Sequence, residues 1–247
     1  MSSIKFFAVL TPGRMSPLQA FELVETVARA NSGSDEETAF KEAKRKIKRR
    51  GTEVLPIVVG TTEFDFAEVV HKKLEWVSLT GSAIDPALCT RLAKELFRSG
   101  SLVMAVILDR DYDYWQNAED PLQYRAAGRS WNHLPTRSNG LPPPLNQEVI
   151  DISDNPGRRF VKLGFFEIVA YRMWLTDSFW TLTGADKAGV RNAPGLVTKE
   201  EIPGLLELEA GQKCFTSPEG EERRMQDHLR NVLFGANEQQ FPNGPVS

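Results

Sequence analysis

The hydrophobic pattern of the chain is centred on one short, uninterrupted apolar segment. Leu102–Leu108 contains no polar residue and lies between Gly100-Ser101 and the acidic stretch that begins at Asp109. A run of this length, bounded by a turn signal and by charges, is typical of a strand buried on both faces. We therefore expect residues 102–108 to form a central strand.

Three other segments predict further strands. Residues 4–10 are mostly apolar and end at a Thr-Pro-Gly turn, residues 53–59 contain Pro56, and residues 147–152 read QEVIDI. Because proline lacks an N–H group, Pro56 favours a sheet edge or a bulge for its segment. The pattern predicts an α/β or α+β fold with a central mixed sheet (strands near 4–10, 53–59, 102–108 and 147–152), flanking helices and a loop-rich C-terminal half.

Capping signals and helical spacing of apolar residues predict helices around this sheet. Residues 16–17 and 85–86 each combine an N-cap residue with proline at the first helical position. Ser34 with Glu37 forms a capping box, which predicts that a second helix starts at Ser34. These helices are expected to pack their apolar stripes on the sheet.

Other segments give less distinctive patterns. We predict helices within residues 61–76, over 199–209 and over 218–234. Residues 160–182 form the most apolar part of the chain, and they predict a strand that turns at Gly164 into a core helix.

The composition changes along the chain and suggests its organisation. Residues 1–115 form a half that carries the central strand, and residues 116–146 form a long connection rich in aromatic residues and proline. Residues 147–236 form a second half expected to pack on the same core, and residues 237–247 form a polar tail. We expect a single domain, which is compatible with 247 residues.

Composition and charge exclude several classes of protein. The net charge of −3 argues against a surface built throughout for nucleic acid. No apolar run approaches the roughly 20 residues that span a bilayer, so no membrane association is expected. The two cysteines have neither the spacing of a zinc site nor the number of a disulfide scaffold. We therefore expect a soluble, intracellular, cytoplasmic protein.

The acidic residues after the central strand are the first candidate site. Asp109, Asp111 and Asp113 alternate, and alternate residues on a strand share one face about 6.6 Å apart. Such carboxylates can hold one or two divalent cations, Mg²⁺ or Mn²⁺, for a phosphoryl transfer. The alternative is that a buried strand simply becomes polar where it reaches solvent.

Five other residues could complete this site. His133 and Asp151 are candidate catalytic residues, and Arg110, Arg129 and Arg137 could bind phosphate.

The order of these residues resembles the motif order of archaeo-eukaryotic primase-type polymerases. The corresponding elements are Asp109 with Asp111, then Ser130–His133, then Asp151. The resemblance implies metal-dependent nucleotidyl transfer by these acids. The sequence departs from the family pattern because its histidine element reads SWNH instead of Ser-x-His and the intervals are short. We therefore do not assign the chain to this family.

A second candidate site lies in a basic stretch at residues 41–50. Such a cluster at a helix end can bind anions or nucleic acid. The alternative is a solvated helix end whose positive charge matches the helix dipole, and the absence of interleaved aromatic residues favours it. The candidate anion-binding residues here are Lys44, Arg45, Lys48, Arg49 and Arg50.

Two function hypotheses follow. The first is a non-catalytic binding or assembly protein, with a protein partner or self-association and with nucleic acid as a further partner through residues 41–50. The second is a metal-dependent phosphoryl- or nucleotidyl-transfer enzyme that uses Asp109, Asp111 and Asp113. We favour the first because no motif of high specificity is present. The first hypothesis requires no cofactor, whereas the second requires a divalent cation, Mg²⁺ or Mn²⁺.

Overall fold

The computed structural model describes residues 3–29 and 37–240. Its strands are β1 (Ile4–Leu10), β2 (Ile57–Val59), β3 (Thr62–Val69), β4 (Leu74–Gly81), β5 (Leu102–Asp109), β6 (Thr136–Ser138), β7 (Glu148–Ile150), β8 (Phe160–Val161), β9 (Phe166–Glu167), β10 (Arg172–Thr176), β11 (Val197–Ile202) and β12 (Leu205–Glu209). Eight of them form one antiparallel sheet with the order β11-β12-β10-β5-β1-β4-β3-β2, while β6 pairs with β7 and β8 with β9.

Helices cover the sheet, so the α+β expectation for the fold is confirmed. The sheet itself is antiparallel at every pairing and not mixed. The helices are α1 (Pro17–Arg29), α2 (Glu37–Arg50), α3 (Pro86–Arg98), α4 (Arg110–Asn117), α5 (Pro121–Ala126), α6 (Asp177–Thr183), α7 (Lys187–Arg191) and α8 (Gly220–Gln240). No helix in the described chain is long and apolar enough to cross a membrane.

The predicted central strand is confirmed. β5 lies between β1 and β10, and Val106 and Ile107 are wholly buried. Helices begin where the proline signals predict, at Pro17 and Pro86, and Asp85 accepts a hydrogen bond from the Leu88 N–H group at 2.7 Å.

Two predicted helices are strand hairpins. Residues 61–76 form β3 and the first three residues of β4, because Phe64 and Phe66 alternate with charged residues at the period of a strand. Residues 199–209 form most of β11 and β12, and Pro203-Gly204, which disturbs a helix, is instead the turn between them. Gly204 has φ of +86°, a conformation that favours glycine.

Two predicted strands need correction. Within residues 53–59 only β2 is a strand, and it lies at the sheet edge as Pro56 predicts. Within residues 147–152, β7 pairs with β6 in a separate two-stranded ribbon and does not join the main sheet.

Residues 160–182 and the C-terminal segment agree with prediction in part. Gly164 lies in the turn between β8 and β9, as predicted, but the strand β10 precedes the helix α6. The helix predicted over 218–234 is α8, which continues through Gln240 into the predicted tail. The predicted helix start at Ser34 and tail residues 241–247 lie outside the described residues.

Aromatic side chains pack on both faces of the sheet. On one face, Phe21 of α1 contacts Phe40 of α2 and Phe64 of β3. On the other face, Phe7 of β1 contacts Phe166 of β9 edge-on. Adjacent residues of a strand point to opposite faces, so β1 contributes to both layers of the core.

Candidate functional site

The acidic stretch after the central strand is helical. β5 ends at Asp109, whose carboxylate accepts a hydrogen bond from the Tyr112 N–H group at 2.8 Å and so caps α4. Residues two positions apart on a helix do not share a face. The alternate spacing of Asp109, Asp111 and Asp113 therefore does not direct their carboxylates to one point.

Asp113 is a buried carboxylate that pairs with two partly exposed cationic side chains. Its carboxylate lies 2.8 Å from Lys5 Nζ of β1 and 3.1 Å from Arg159 Nη1. Burial lowers the pKa of Lys5, and the Asp113 carboxylate opposes this shift. Asp111 is exposed. In residues 3–29 and 37–240, no group of three or more His, Cys, Asp or Glu side chains is arranged to hold a metal ion.

The other predicted catalytic residues lie near the β6–β7 ribbon. His133 is exposed in the loop before β6. Asp151 follows β7, and its hydrogen bond from the Ser153 N–H group, at 2.9 Å, lowers its pKa. Asp151 lies 3.8 Å from Arg137 Nε, and Arg137 also pairs with Glu119 at 2.9 Å.

Arg129 contacts an aromatic ring of the same region. Its guanidinium group lies 4.2 Å from the centre of the Trp115 ring. Trp115 packs against a small cluster formed by Ala118, Tyr124, Ile150 and Ile152. The elements of the polymerase-like motif order thus lie on a helix start, an exposed loop and the end of a ribbon strand.

The basic stretch at residues 41–50 forms the C-terminal part of α2. Lys44 pairs with Glu25 of α1 at 2.8 Å, and Arg50 lies 3.6 Å from Glu53. Arg45, Lys48 and Arg49 are exposed. Lys44 thus joins two helices, whereas anion binding by the exposed residues stays a prediction.

Two open grooves are features that the sequence patterns do not reveal. The first, which we call the apolar groove, has a volume of about 560 Å³ and lies between α6 and the β8–β9 turn. Leu163 and Leu182, which line it, are 58% and 39% exposed. A Cβ atom at Gly164 would lie 3.0 Å from a methyl group of Leu182, so glycine permits the turn to approach α6 this closely.

A hydrogen bond holds the β8–β9 turn against the segment that precedes β4. The Gly164 N–H group donates to the Lys72 carbonyl oxygen at 2.8 Å. The glycine turn itself is predictable, but the exposure of the two leucines depends on which surfaces the helices leave uncovered.

The second groove, which we call the acidic groove, has a volume of about 690 Å³ and lies at the outer edge of β3. Asp65, Glu68 and Glu75 line it together with residues of the β1–α1 loop and of the segment before β2, and no basic residue lines it. Glu75 is only 7% exposed, and its Oε1 accepts a hydrogen bond from the Gly13 N–H group at 2.9 Å. Its Oε2 has no hydrogen-bond partner in the described part of the chain.

Asp65 is held at the same edge. Its Oδ1 accepts a hydrogen bond from the adjacent Phe66 N–H group at 2.9 Å, and burial raises its pKa. Glu68 and Glu75 are cross-strand partners in the β3–β4 pairing, so their side chains lie on the same face of the sheet.

Comparison with known proteins gives little further information. No protein-family model and no curated protein matches the chain. Among solved structures, the chain is similar to a Pseudomonas aeruginosa T6SS protein with 10% sequence identity and a TM-score of 0.47. The match covers 94% of this chain and 74% of that chain. A similarity at this level assigns neither a family nor a function.

Proposed function

We propose that this chain is a non-catalytic binding or assembly protein that binds an apolar segment of a protein partner in the apolar groove. The observation that carries the proposal is that Leu163 and Leu182 are both exposed and both line an open cavity of about 560 Å³. Adjacent exposed apolar side chains in a concave surface are typical of protein interaction sites.

The composition of the groove supports this role. Pro12, Val103 and the two leucines supply apolar surface, while Lys73 and Asp177 supply opposite charges to its lining. An apolar centre with polar groups around it is the usual anatomy of a protein interface. A partner side chain that covers the leucines would gain the free energy of removing both from water.

The surroundings of the acidic residues also support a non-catalytic role. Asp109 caps α4, and Asp113 is paired with Lys5 and Arg159. These contacts give both carboxylates a structural purpose that requires no substrate.

A photo-crosslinking experiment tests the proposal. A benzophenone amino acid is introduced at Leu182 in the cells that normally express the chain, and at Leu122 as a control. Leu122 is also apolar and 61% exposed, but it lies on α5 and does not line the groove. We expect a discrete protein adduct from position 182 that is absent from position 122.

A second substitution makes this test specific. Leu163→Asp in the position-182 background should weaken the adduct about tenfold or more, because burying a leucine contributes about 1.5–3 kcal/mol and burying a carboxylate adds a desolvation cost. An adduct of twice the chain mass would identify a second copy as the partner. No adduct at position 182, or equal adducts at both positions, would contradict the proposal.

A further inference from the structure

We infer that the acidic groove binds an extended peptide segment that carries a lysine or arginine and adds to the outer edge of β3 as a further strand. This site is separate from the apolar groove, and the inference does not depend on the function proposed for that groove. It rests on three features: a buried carboxylate oxygen without a partner, an uncovered strand edge, and a lining that contains acids but no bases.

The first feature is the buried Glu75 carboxylate. One of its oxygens is satisfied by the Gly13 N–H group, whereas the other is buried without a hydrogen-bond partner in residues 3–29 and 37–240. A buried acceptor without a donor is costly, and a carboxylate more so than a neutral group. Glu68 lies opposite Glu75 across the ladder, which places two like side chains together. A cationic donor between them would relieve both costs.

The second feature is the free edge of β3. β2 pairs only with residues 62–64 of β3, which leaves residues 65–69 without a neighbouring strand on the outer side in the described chain. Phe64 is paired with Ile57 of β2, and the Phe66 N–H group bonds to the Asp65 side chain. Along a strand, the backbone N–H and C=O groups of alternate residues point to the same side. The backbone groups of Phe66 and Glu68 therefore point to the side of β3 on which Phe64 pairs with β2, and this side faces the groove.

These two features together define the geometry of the occupant. A peptide residue paired directly opposite Glu68 would place its side chain on the face that Glu68 shares with Glu75. A long cationic side chain at this position can reach both carboxylates, while the peptide backbone bonds to the carbonyl oxygen of Phe66, whose N–H group is taken by Asp65, and to the backbone of Glu68. Strand addition with a side-chain pocket is a known mode of peptide recognition.

The third feature is the charge of the lining, which argues for an organic cation over a metal ion. Asp65, Glu68 and Glu75 line a volume of about 690 Å³ without a basic residue. They do not form a group that could hold a metal ion, since none exists in the described residues. A polyamine would satisfy the carboxylates but would leave the strand edge uncovered, and therefore the observations favour a peptide.

A binding measurement with defined probes tests the inference. The probes are two fluorescent five-residue peptide libraries at about 0.15 M salt, one with lysine fixed at the centre and one with norleucine, which has the same aliphatic length without the charge. We expect binding of the lysine library to be at least about tenfold stronger. Glu75→Gln should remove at least about tenfold of this binding, because glutamine keeps an acceptor for Gly13 but lacks the charge.

Matched controls separate this site from nonspecific attraction and from the apolar groove. Glu63 lies on the same strand as Glu68, but in the part of β3 that pairs with β2. The substitution Glu63→Gln should therefore change peptide binding by less than about twofold. Leu163→Asp should leave peptide binding unchanged. Peptide binding should also slow hydrogen exchange of the Glu68 amide, which a contact through side chains alone would not do.

Three outcomes would overturn the inference. Equal binding of the lysine and norleucine libraries would show that no cation is recognised. Absence of binding by either library at millimolar concentration would show that no such site exists. The third outcome is that spermine competes with an affinity equal to that of the peptide, while N-methylation of the peptide backbone leaves binding unchanged. This result would identify a small-cation site in place of strand addition.

Discussion

Buried carboxylates in this protein have two kinds of surroundings. Asp113 and Glu167 each lie within 3.1 Å of a cationic nitrogen, from Arg159 and Arg230 respectively. Glu75 is buried to a similar degree, but its hydrogen bond comes from a backbone N–H group and reaches one oxygen only. Proteins normally pair buried charges, so Asp113 and Glu167 have their partners within the fold while Glu75 remains available to a ligand.

Asp65 provides a test of the electrostatics of the acidic groove. Burial raises its pKa above the ordinary value of 3.8, so the folded chain holds the Asp65 proton more tightly than the unfolded chain does. The associated stability is fully present below about pH 3.8 and is lost as the pH rises through the folded-state pKa. Asp65→Asn removes this loss and keeps an oxygen that can accept from the Phe66 N–H group.

We therefore expect Asp65→Asn to gain stability relative to the wild type as the pH rises from about 3 to about 6. Urea unfolding at each pH measures the difference in the free energy of unfolding. A difference that does not change with pH, or that changes with the opposite sign, would show that burial does not control this carboxyl group.

The candidate acids were identifiable from the sequence, but their arrangement was not. The apolar run before Asp109 and the acid spacing both point to this segment. Whether the carboxylates converge depends on where the strand ends. β5 ends at Asp109, and α4 begins at the next residue, Arg110. The ion-pair partners Lys5 and Arg159 are remote in sequence, so only the fold brings them to Asp113.

At the scale of elements, hydrophobic periodicity predicted buried segments better than half-exposed ones. β5 and the starts of α1 and α3 agree with prediction because apolar runs and N-cap–proline pairs are specific signals. The β11–β12 hairpin was predicted as a helix because Thr198 and Glu201 have the spacing of a capping box. Its Pro203-Gly204 dipeptide was the better signal, since it marks a turn.

The start of α4 gives a prediction at this scale. Asp109→Ala removes the N-cap acceptor for the Tyr112 N–H group and should lower the free energy of unfolding by about 0.5–2 kcal/mol. Asp109→Asn should have a smaller effect, because asparagine is an equally good N-cap residue. Asp111→Asn serves as the control, since Asp111 is exposed on the same helix and should change stability by less than about 0.5 kcal/mol.

Chemical denaturation of the three variants, with and without Mg²⁺, separates capping from metal binding. If Asp109 acts as a cap, the order of stabilities is the same in both conditions. A stabilisation of the wild type by Mg²⁺ that both asparagine variants lose would instead support the metal-site hypothesis, since a ligand that binds only the native state at a hundredfold excess over its Kd adds about 2.7 kcal/mol.

At the scale of the molecule, the two halves of the chain contribute to the same sheet. β10 and β12 from the C-terminal half extend the sheet directly from β5, and Met173 of β10 pairs with Val106. Local patterns cannot predict such pairing, because it depends on contacts between residues far apart in the chain. The single domain stays a prediction, and the cooperativity of unfolding tests it.

We expect one cooperative unfolding transition for the whole chain, with equal calorimetric and van't Hoff enthalpies. One truncation in each half makes the test specific: Leu79→Ala in β4 and Leu208→Ala in β12, both of which remove buried side chains. Each should lower the free energy of unfolding by about 2–5 kcal/mol and shift the entire transition to lower temperature. If the halves were separate domains, two transitions would appear, and each substitution would shift only the transition of its own half.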